Sequence, residues 1–310
     1  MAERVRITDV SPRDGLQNER GVIGTADKAR LVELLAASGV DEVEVSSFVS
    51  PRWVPQLGDA AEVFRILADR LPDVGAGRIG PVLSALVPNE KGLSAALEVN
   101  RSAGRALIGK VAVFTAASET FSRRNTNASI AESLARFGPV VDGARRGGLA
   151  VRGYVSCVIA CPFEGPIEPV AVARVCRALV DLGVDEIDLG DTIGAGTRDS
   201  VRVLLEACLA AAAAGGSVPM TLHLHDTFGR AAECVRAGLE MGVRSFDGSV
   251  GGLGGCPYAG TPDRPAPGNI ATEDLVRTVE EAGFVTGVDM GGLKAASAFA
   301  RRIVAAARSA

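Results

Sequence analysis

The sequence predicts an α/β protein, a closed (β/α)8 TIM barrel completed by extra C-terminal helices. Three observations predict it. Eight short β-branched or alternating runs recur at residues 5–10, 41–46, 81–87, 110–115, 151–157, 185–190, 220–225 and 245–250, with starts 25 to 41 residues apart. Helix-period segments separate them. Three of the joints repeat each other, LVELLAASGVDEVEV, CRALVDLGVDEIDL and VRAGLEMGVRSFDGSV, each an amphipathic helix stopped by glycine (Gly39, Gly183, Gly242) before the next strand. Glycine supplies the left-handed helix end, and a short loop then feeds the strand.

Taken in order, the first run (VRITDV) is followed by SPRDGLQNE. An open doubly wound sheet would want a glycine-rich fingerprint at that turn, so closure is the better reading. In the second run Val43 and Val45 face the helices while Glu42 and Glu44 point into the barrel, and Ile187, Leu189 and Asp188 repeat the pattern later. The third to fifth runs, PVLSALV, KVAVFT and VRGYVSC, continue the β-branched alternation. In the seventh, His223 and His225 share one face and Leu222 and Leu224 the other, because strand periodicity is two. After SFDGSV, helices near 272–282 and 290–309 complete the ring, with Thr272 expected as an N-cap ahead of Glu273 and Asp274. No linker or composition break divides the chain, so residues 1–310 are expected to form one barrel domain.

Composition bounds the function. The chain has 310 residues, is 47% hydrophobic and 23% charged, and carries a formal charge of −4. A core of ample size follows, and no net field draws the protein to nucleic acid or anionic lipid. The longest uncharged apolar stretch, Ala207 to Met220, is broken by Gly215, Gly216 and Pro219, which excludes a bilayer span. The six cysteines form no C-x-x-C pair, and Cys157 and Cys161 read as strand-end packing residues. With a first strand so near the N-terminus, no signal peptide is expected, and a reducing cytoplasmic location is the default. A homodimer is the expectation from the prevalence of twofold assemblies.

The chemistry of such a barrel lies at the C-terminal ends of its strands. Those ends carry Arg13 and Asp14, then Glu44, Ser46 and Ser47, then Asp191 and Thr192, then His223 and His225, and finally GGLGGCPYAG. The two histidines are the only ones in the chain. Two imidazoles and a carboxylate with open positions suit a divalent metal acting as a Lewis acid. On spacing alone Asp14 is equally a third ligand or a partner of Arg13. The four glycines before Cys256 are equally a lid that brings a thiol to the site or a backbone phosphate cradle. Ser122 to Asn125 (SRRN) suits a polyanion or a solvated charge pair. No lysine sits at a C-terminal strand end, so Schiff-base chemistry lacks its nucleophile.

Five segments, DVSPRDGLQNE at 9–19, SFVSPRWVPQLGD at 47–59, LGDTIGAG at 189–196, HLHDT at 223–227 and GLGGCPY at 252–258, closely resemble the 3-hydroxy-3-methylglutaryl-CoA lyase family. That family belongs to a metal-dependent lyase and Claisen-condensing barrel superfamily, and the match runs from residue 5 to about 290. The resemblance implies cleavage of 3-hydroxy-3-methylglutaryl-CoA to acetyl-CoA and acetoacetate, the chemistry of leucine degradation and ketone-body formation. It implies that Asp14, His223, His225 and Asn269 hold Mg2+ or Mn2+, and that Arg13 faces the thioester oxygen. Cys256 would move a proton with Glu44 in the same relay, and Gln17, Asp191 and Thr192 would lie near the substrate.

One segment departs from the family: PYAGTPDRPAPG between Cys256 and Asn269 is longer and holds Pro257, Pro262, Pro265 and Pro267. It keeps open a related substrate, citramalyl-CoA or a longer 3-hydroxy-3-alkylglutaryl-CoA. A non-catalytic acyl-CoA-binding barrel is the alternative of another class, disfavoured by the complete set of Arg13, Asp14, His223, His225 and Cys256.

Overall fold

The structure, a computed structural model, describes residues 2–72, 80–213, 218–255 and 268–309. Eight parallel strands close into a barrel: β1 (Arg6–Asp9), β2 (Glu42–Ser47), β3 (Val82–Leu86), β4 (Ile108–Ala116), β5 (Ala150–Ser156), β6 (Glu186–Asp191), β7 (Met220–Leu224) and β8 (Ser245–Gly248). Each strand pairs with its neighbours in sequence, and β8 returns to β1 with Arg6 opposite Ser245. Every expected run becomes a barrel strand.

The helices are α1 (Thr25–Ala37), α2 (Ala60–Arg70), α3 (Glu90–Ala103), α4 (Glu119–Thr126), α5 (Ile130–Arg146), α6 (Pro169–Leu182), α7 (Arg198–Ala213), α8 (Ala231–Glu240), α9 (Thr272–Glu281) and α10 (Met290–Ser309). Gly39 and Gly183 sit at φ 82° and 91° just past α1 and α6, the left-handed turn their sequence position implied. The last two helices are the extra C-terminal pair. Among the described residues, no helix is long and apolar enough to cross a membrane.

Strand alternation builds two shells. Val43, Val45, Ile187 and Leu189 face outward into the apolar layer shared with Leu35, Val63, Leu179 and Leu204 of the surrounding helices. The inward set is charged. At the N-terminal end Lys110 donates to Glu42 at 2.5 Å and Glu186 at 2.6 Å, while Arg152 reaches Glu186 at 3.0 Å and Glu42 at 3.2 Å. Burial is affordable there because each charge is matched by a close opposite charge. Lys110 thus lies in the barrel floor, away from the C-terminal mouth.

Two local expectations change. Thr272 is the first helical residue of α9 instead of its cap, because its hydroxyl donates to Asp9 Oδ2 at 2.6 Å and Ala271 takes the cap position. A two-stranded antiparallel hairpin, Ala160–Cys161 against Gly165–Pro166, stands outside the barrel. Strands of two residues are too short to show a period in sequence. Cys157 and Cys161 pack with Ala116 and Phe121 in a small apolar cluster, as packing residues do.

Candidate active site

The turn after β1 is a π-helical segment, Ser11–Gly15. The amides of Asp14 and Gly15 both return to the carbonyl of Val10, at 2.8 and 3.1 Å. This wide turn swings Arg13 and Asp14 back over the barrel mouth, a use of π geometry common at functional sites. On β2 the pairing with β3 slips between Glu44 and Ser46. The bulge leaves Glu44 fully buried beneath Arg13, whose Nε donates to it.

His223 lies on β7, and His225 lies one residue beyond it, where it forms an antiparallel bridge with Asn269. Two further backbone bonds, Ile270 N to Leu224 O at 2.8 Å and Asp226 N to Gly268 O at 3.0 Å, fasten residues 268–270 against the end of β7. Asn269, remote in sequence, is thereby delivered to the histidines. Its Nδ2 donates to Asp14 Oδ2 at 2.8 Å and to Leu253 O at 2.9 Å, and its buried Oδ1 has no partner among the described residues.

Asp14, His223 and His225 bring one donor atom each to within 4.8 Å of one another. The Nε2 atoms of the two histidines are 3.2 Å apart. Burial alone would depress His223, but Asp247, Asp14 and Asp188 raise it to about 9. Burial and the charge of His223 press His225 down to about 4. Burial raises the Asp14 carboxyl, yet Arg13 and the two imidazoles overrule it and hold it at about 2. Two ring nitrogens face each other beside a carboxylate, and an orphaned amide oxygen adjoins them. That donor set fits a divalent cation with hard-oxygen and imidazole ligands.

Arg13 also donates Nη1 to Asp14 Oδ1 at 2.6 Å and lies 5.4 Å from the ring centroid of Tyr154. Burial pushes the Glu44 carboxyl up from its usual range against the pull of Arg13 and Arg152. Around these groups the described residues form a pocket of about 700 Å3 lined by Arg13, Asp14, Gln17, Thr192, His223 and His225. Its wall also holds Leu86, Phe114 and Tyr154, and its rim holds Arg124, Asn125 and Arg136. Of the SRRN motif, therefore, Arg124 and Asn125 face the pocket, from α4.

Asp191 and Thr192 both have partners within the protein. The Asp191 carboxylate accepts from the amides of Ala195 at 3.0 Å and Gly196 at 2.6 Å, so it shapes its own loop. Thr192 lines the pocket while its hydroxyl accepts from Cys157 N at 2.8 Å. Cys256 and the proline-rich segment that follows it, residues 256–267, lie outside the described residues. Sequence reasoning missed Asp247 and Tyr154. Asp247 was legible in SFDGS as an inward position, since Phe246 faces the core.

A carboxylate and two imidazoles converging at the C-terminal mouth of a closed (β/α)8 barrel, with an arginine beside them, define a barrel enzyme with a candidate cation site. The chain belongs to the HMGL-like family, whose profile matches residues 4–300. It is 48% identical over 291 residues to a hydroxymethylglutaryl-CoA lyase of Pseudomonas mevalonii, covering 93% of this chain and 88% of that one. It is 46% identical over 296 residues to a 3-hydroxy-3-isohexenylglutaryl-CoA/hydroxy-methylglutaryl-CoA lyase of Pseudomonas aeruginosa, covering 94% and 90%. The crystal structure of an HMG-CoA lyase from Brucella melitensis superimposes with a TM-score of 0.86 at 45% identity, covering 98% of this chain and all of that one.

Proposed function

We propose that this protein cleaves 3-hydroxy-3-methylglutaryl-CoA into acetyl-CoA and acetoacetate, with Mg2+ or Mn2+ held by Asp14, His223, His225 and Asn269. The observation that carries the reading is the convergence of Asp14, His223 and His225 with Arg13 in one pocket. The names borne by the relatives support the substrate.

The reaction is a retro-Claisen cleavage. The C3 hydroxyl loses its proton, the C2–C3 bond breaks, C3 becomes the ketone of acetoacetate, and the electron pair moves onto C2 and the thioester oxygen. A proton returned to C2 gives acetyl-CoA, so atoms and charge balance. A bound divalent cation acts as a Lewis acid that lowers the hydroxyl pKa. Arg13 supplies a fixed positive charge where the enolate oxygen develops, and Glu44 and Asp14 hold its guanidinium in place. Cys256 with Glu44 moves the proton between hydroxyl and carbon. Gln17 and Thr192 orient the acyl portion from the pocket wall. Arg124 and Arg136 at the rim suit the phosphates of a coenzyme A ester.

A longer 3-alkyl substituent is the second reading, favoured by the apolar wall of Leu86, Phe114 and Tyr154 and by the double name of the Pseudomonas aeruginosa relative. The proposal extends to a homodimer in the cytoplasm, to be read by light scattering and cell fractionation. The decisive assay is acetoacetate release from 3-hydroxy-3-methylglutaryl-CoA with Mg2+ or Mn2+. Turnover supports the proposal. No acetoacetate with any divalent metal, together with cleavage of citramalyl-CoA or a longer 3-alkyl homologue, overturns it in favour of that substrate.

A further inference from the structure

Asp247 is a buried carboxylate that the mechanism above leaves unused. It lies on β8 directly opposite His223 of β7 in the parallel register, and only 1% of its surface is exposed. Its Oδ1 is 2.8 Å from His223 Nδ1, while its buried Oδ2 has no partner among the described residues. A carboxylate cannot donate, so the hydrogen bond requires the proton to sit on His223 Nδ1. The opposite ring nitrogen, Nε2, is the one that faces His225 Nε2 and the cation site. The strand register therefore presents an acceptor to one side of the imidazole and the cation to the other. Tyr154 packs edge-on against the same ring, with centroids 6.4 Å apart, and limits its rotation.

We propose that Asp247 is a positioning residue: it locks His223 in the Nδ1–H tautomer and aims the Nε2 lone pair at the cation, thereby setting the affinity of the site for a divalent metal. Outer partners of this kind orient ligating histidines and raise their basicity. The inference rests on the reading of Asp14, His223 and His225 as a cation site. Among the described residues Asp247 makes no second hydrogen bond, so His223 is the one partner its carboxylate has there.

The test titrates Mn2+ into the full-length protein, reading free Mn2+ by electron paramagnetic resonance, and compares wild type with Asp247→Asn. The asparagine keeps the size and one acceptor but removes the charge. The expected result is an affinity weaker by ~10- to 100-fold with the fold retained by circular dichroism. An affinity within twofold of wild type overturns the inference. A second measurement needs no variant: nitrogen-15 shifts of the Mg2+-loaded wild type should show His223 protonated at Nδ1 and carrying no proton at Nε2. The reverse assignment overturns the inference even if Asp247→Asn fails to fold. Failure of wild type to bind Mn2+ at all would instead remove the cation-site reading on which the inference stands.

Discussion

In the proposed reaction His223 holds the cation and Cys256 moves the proton. His223 presents Nε2 to the cation site, so His223→Ala should abolish Mn2+ binding measured by titration. Cys256→Ala should keep Mn2+ affinity within a few-fold and lose ~100- to 10,000-fold in kcat, the usual worth of a general acid–base group. A nearly fully active Cys256→Ala enzyme would remove the thiol from the relay. Arg13 pairs with both Glu44 and Asp14, which is one of the two roles that spacing left open for Asp14. Asp14 accepts from Arg13 with one oxygen and from Asn269 Nδ2 with the other, so pairing with Arg13 does not exclude a ligand role.

The segments that carry these residues are joined through Asp9 at the end of β1. Its carboxylate accepts from Ser11 N at 2.9 Å, Ser11 Oγ at 2.5 Å, Val250 N at 3.1 Å and Thr272 Oγ1 at 2.6 Å. One side chain thus clasps the π-turn, the loop after β8 and the start of α9. Burial raises its pKa from 3.8 to about 6 in spite of those donors. A raised carboxylate makes the folded state bind more protons than the unfolded one between these two values. Stability from this site therefore rises as pH falls from 7 through 6 toward 4, by up to ~3 kcal/mol. Urea titrations should show wild type gaining on Asp9→Asn over that interval, and a gap independent of pH would contradict it. A glycine tests the fit of helix to barrel in the same way. A Cβ at Gly238 of α8 would meet Leu222 Cδ1 at 2.7 Å and Phe246 Cε1 at 3.0 Å. Gly238→Ala should cost about 1–3 kcal/mol by forcing α8 outward, read as a lower urea midpoint.

Across the molecule, the barrel interior is stratified: matched charges fill the floor, and the candidate cation site occupies the mouth. Glu186 is central to the floor, bound by Lys110, Arg152 and the Thr221 hydroxyl. Burial pushes its carboxyl up, but Arg152 and Lys110 hold it well below the usual range. Removing the charge with Glu186→Gln leaves a buried cation unmatched, and should destabilise the fold by roughly 3–5 kcal/mol. A depressed carboxylate stabilises above its unfolded value of 4.5 and loses that contribution as pH falls below it. The variant should accordingly show a shallower loss of stability under acid than wild type. A loss under 1 kcal/mol at neutral pH would mean the floor charges act independently.

The barrel was legible in the sequence because its signals are local. The strand period, the glycine helix ends after α1 and α6, and the paired histidines each fall within a few neighbouring residues. His223 and His225 could be named as candidate ligands for the same reason, since strand ends carry the site in any barrel of this kind, whereas for Asp14 spacing left the ligand role open and only the family resemblance implied it. Asp247, Tyr154 and the clasp of Asp9 on Thr272 were not legible as partners. Each depends on which residues stand opposite across a parallel register or a closing loop, and parallel pairing joins segments separated by a whole helix. Thr272 shows the limit most clearly, since its neighbours in sequence make it a helix cap while a carboxylate 263 positions away takes its hydroxyl. Local order in the chain dictated the elements and the candidate ligand types; the parallel register of the closed barrel dictated which buried charges meet.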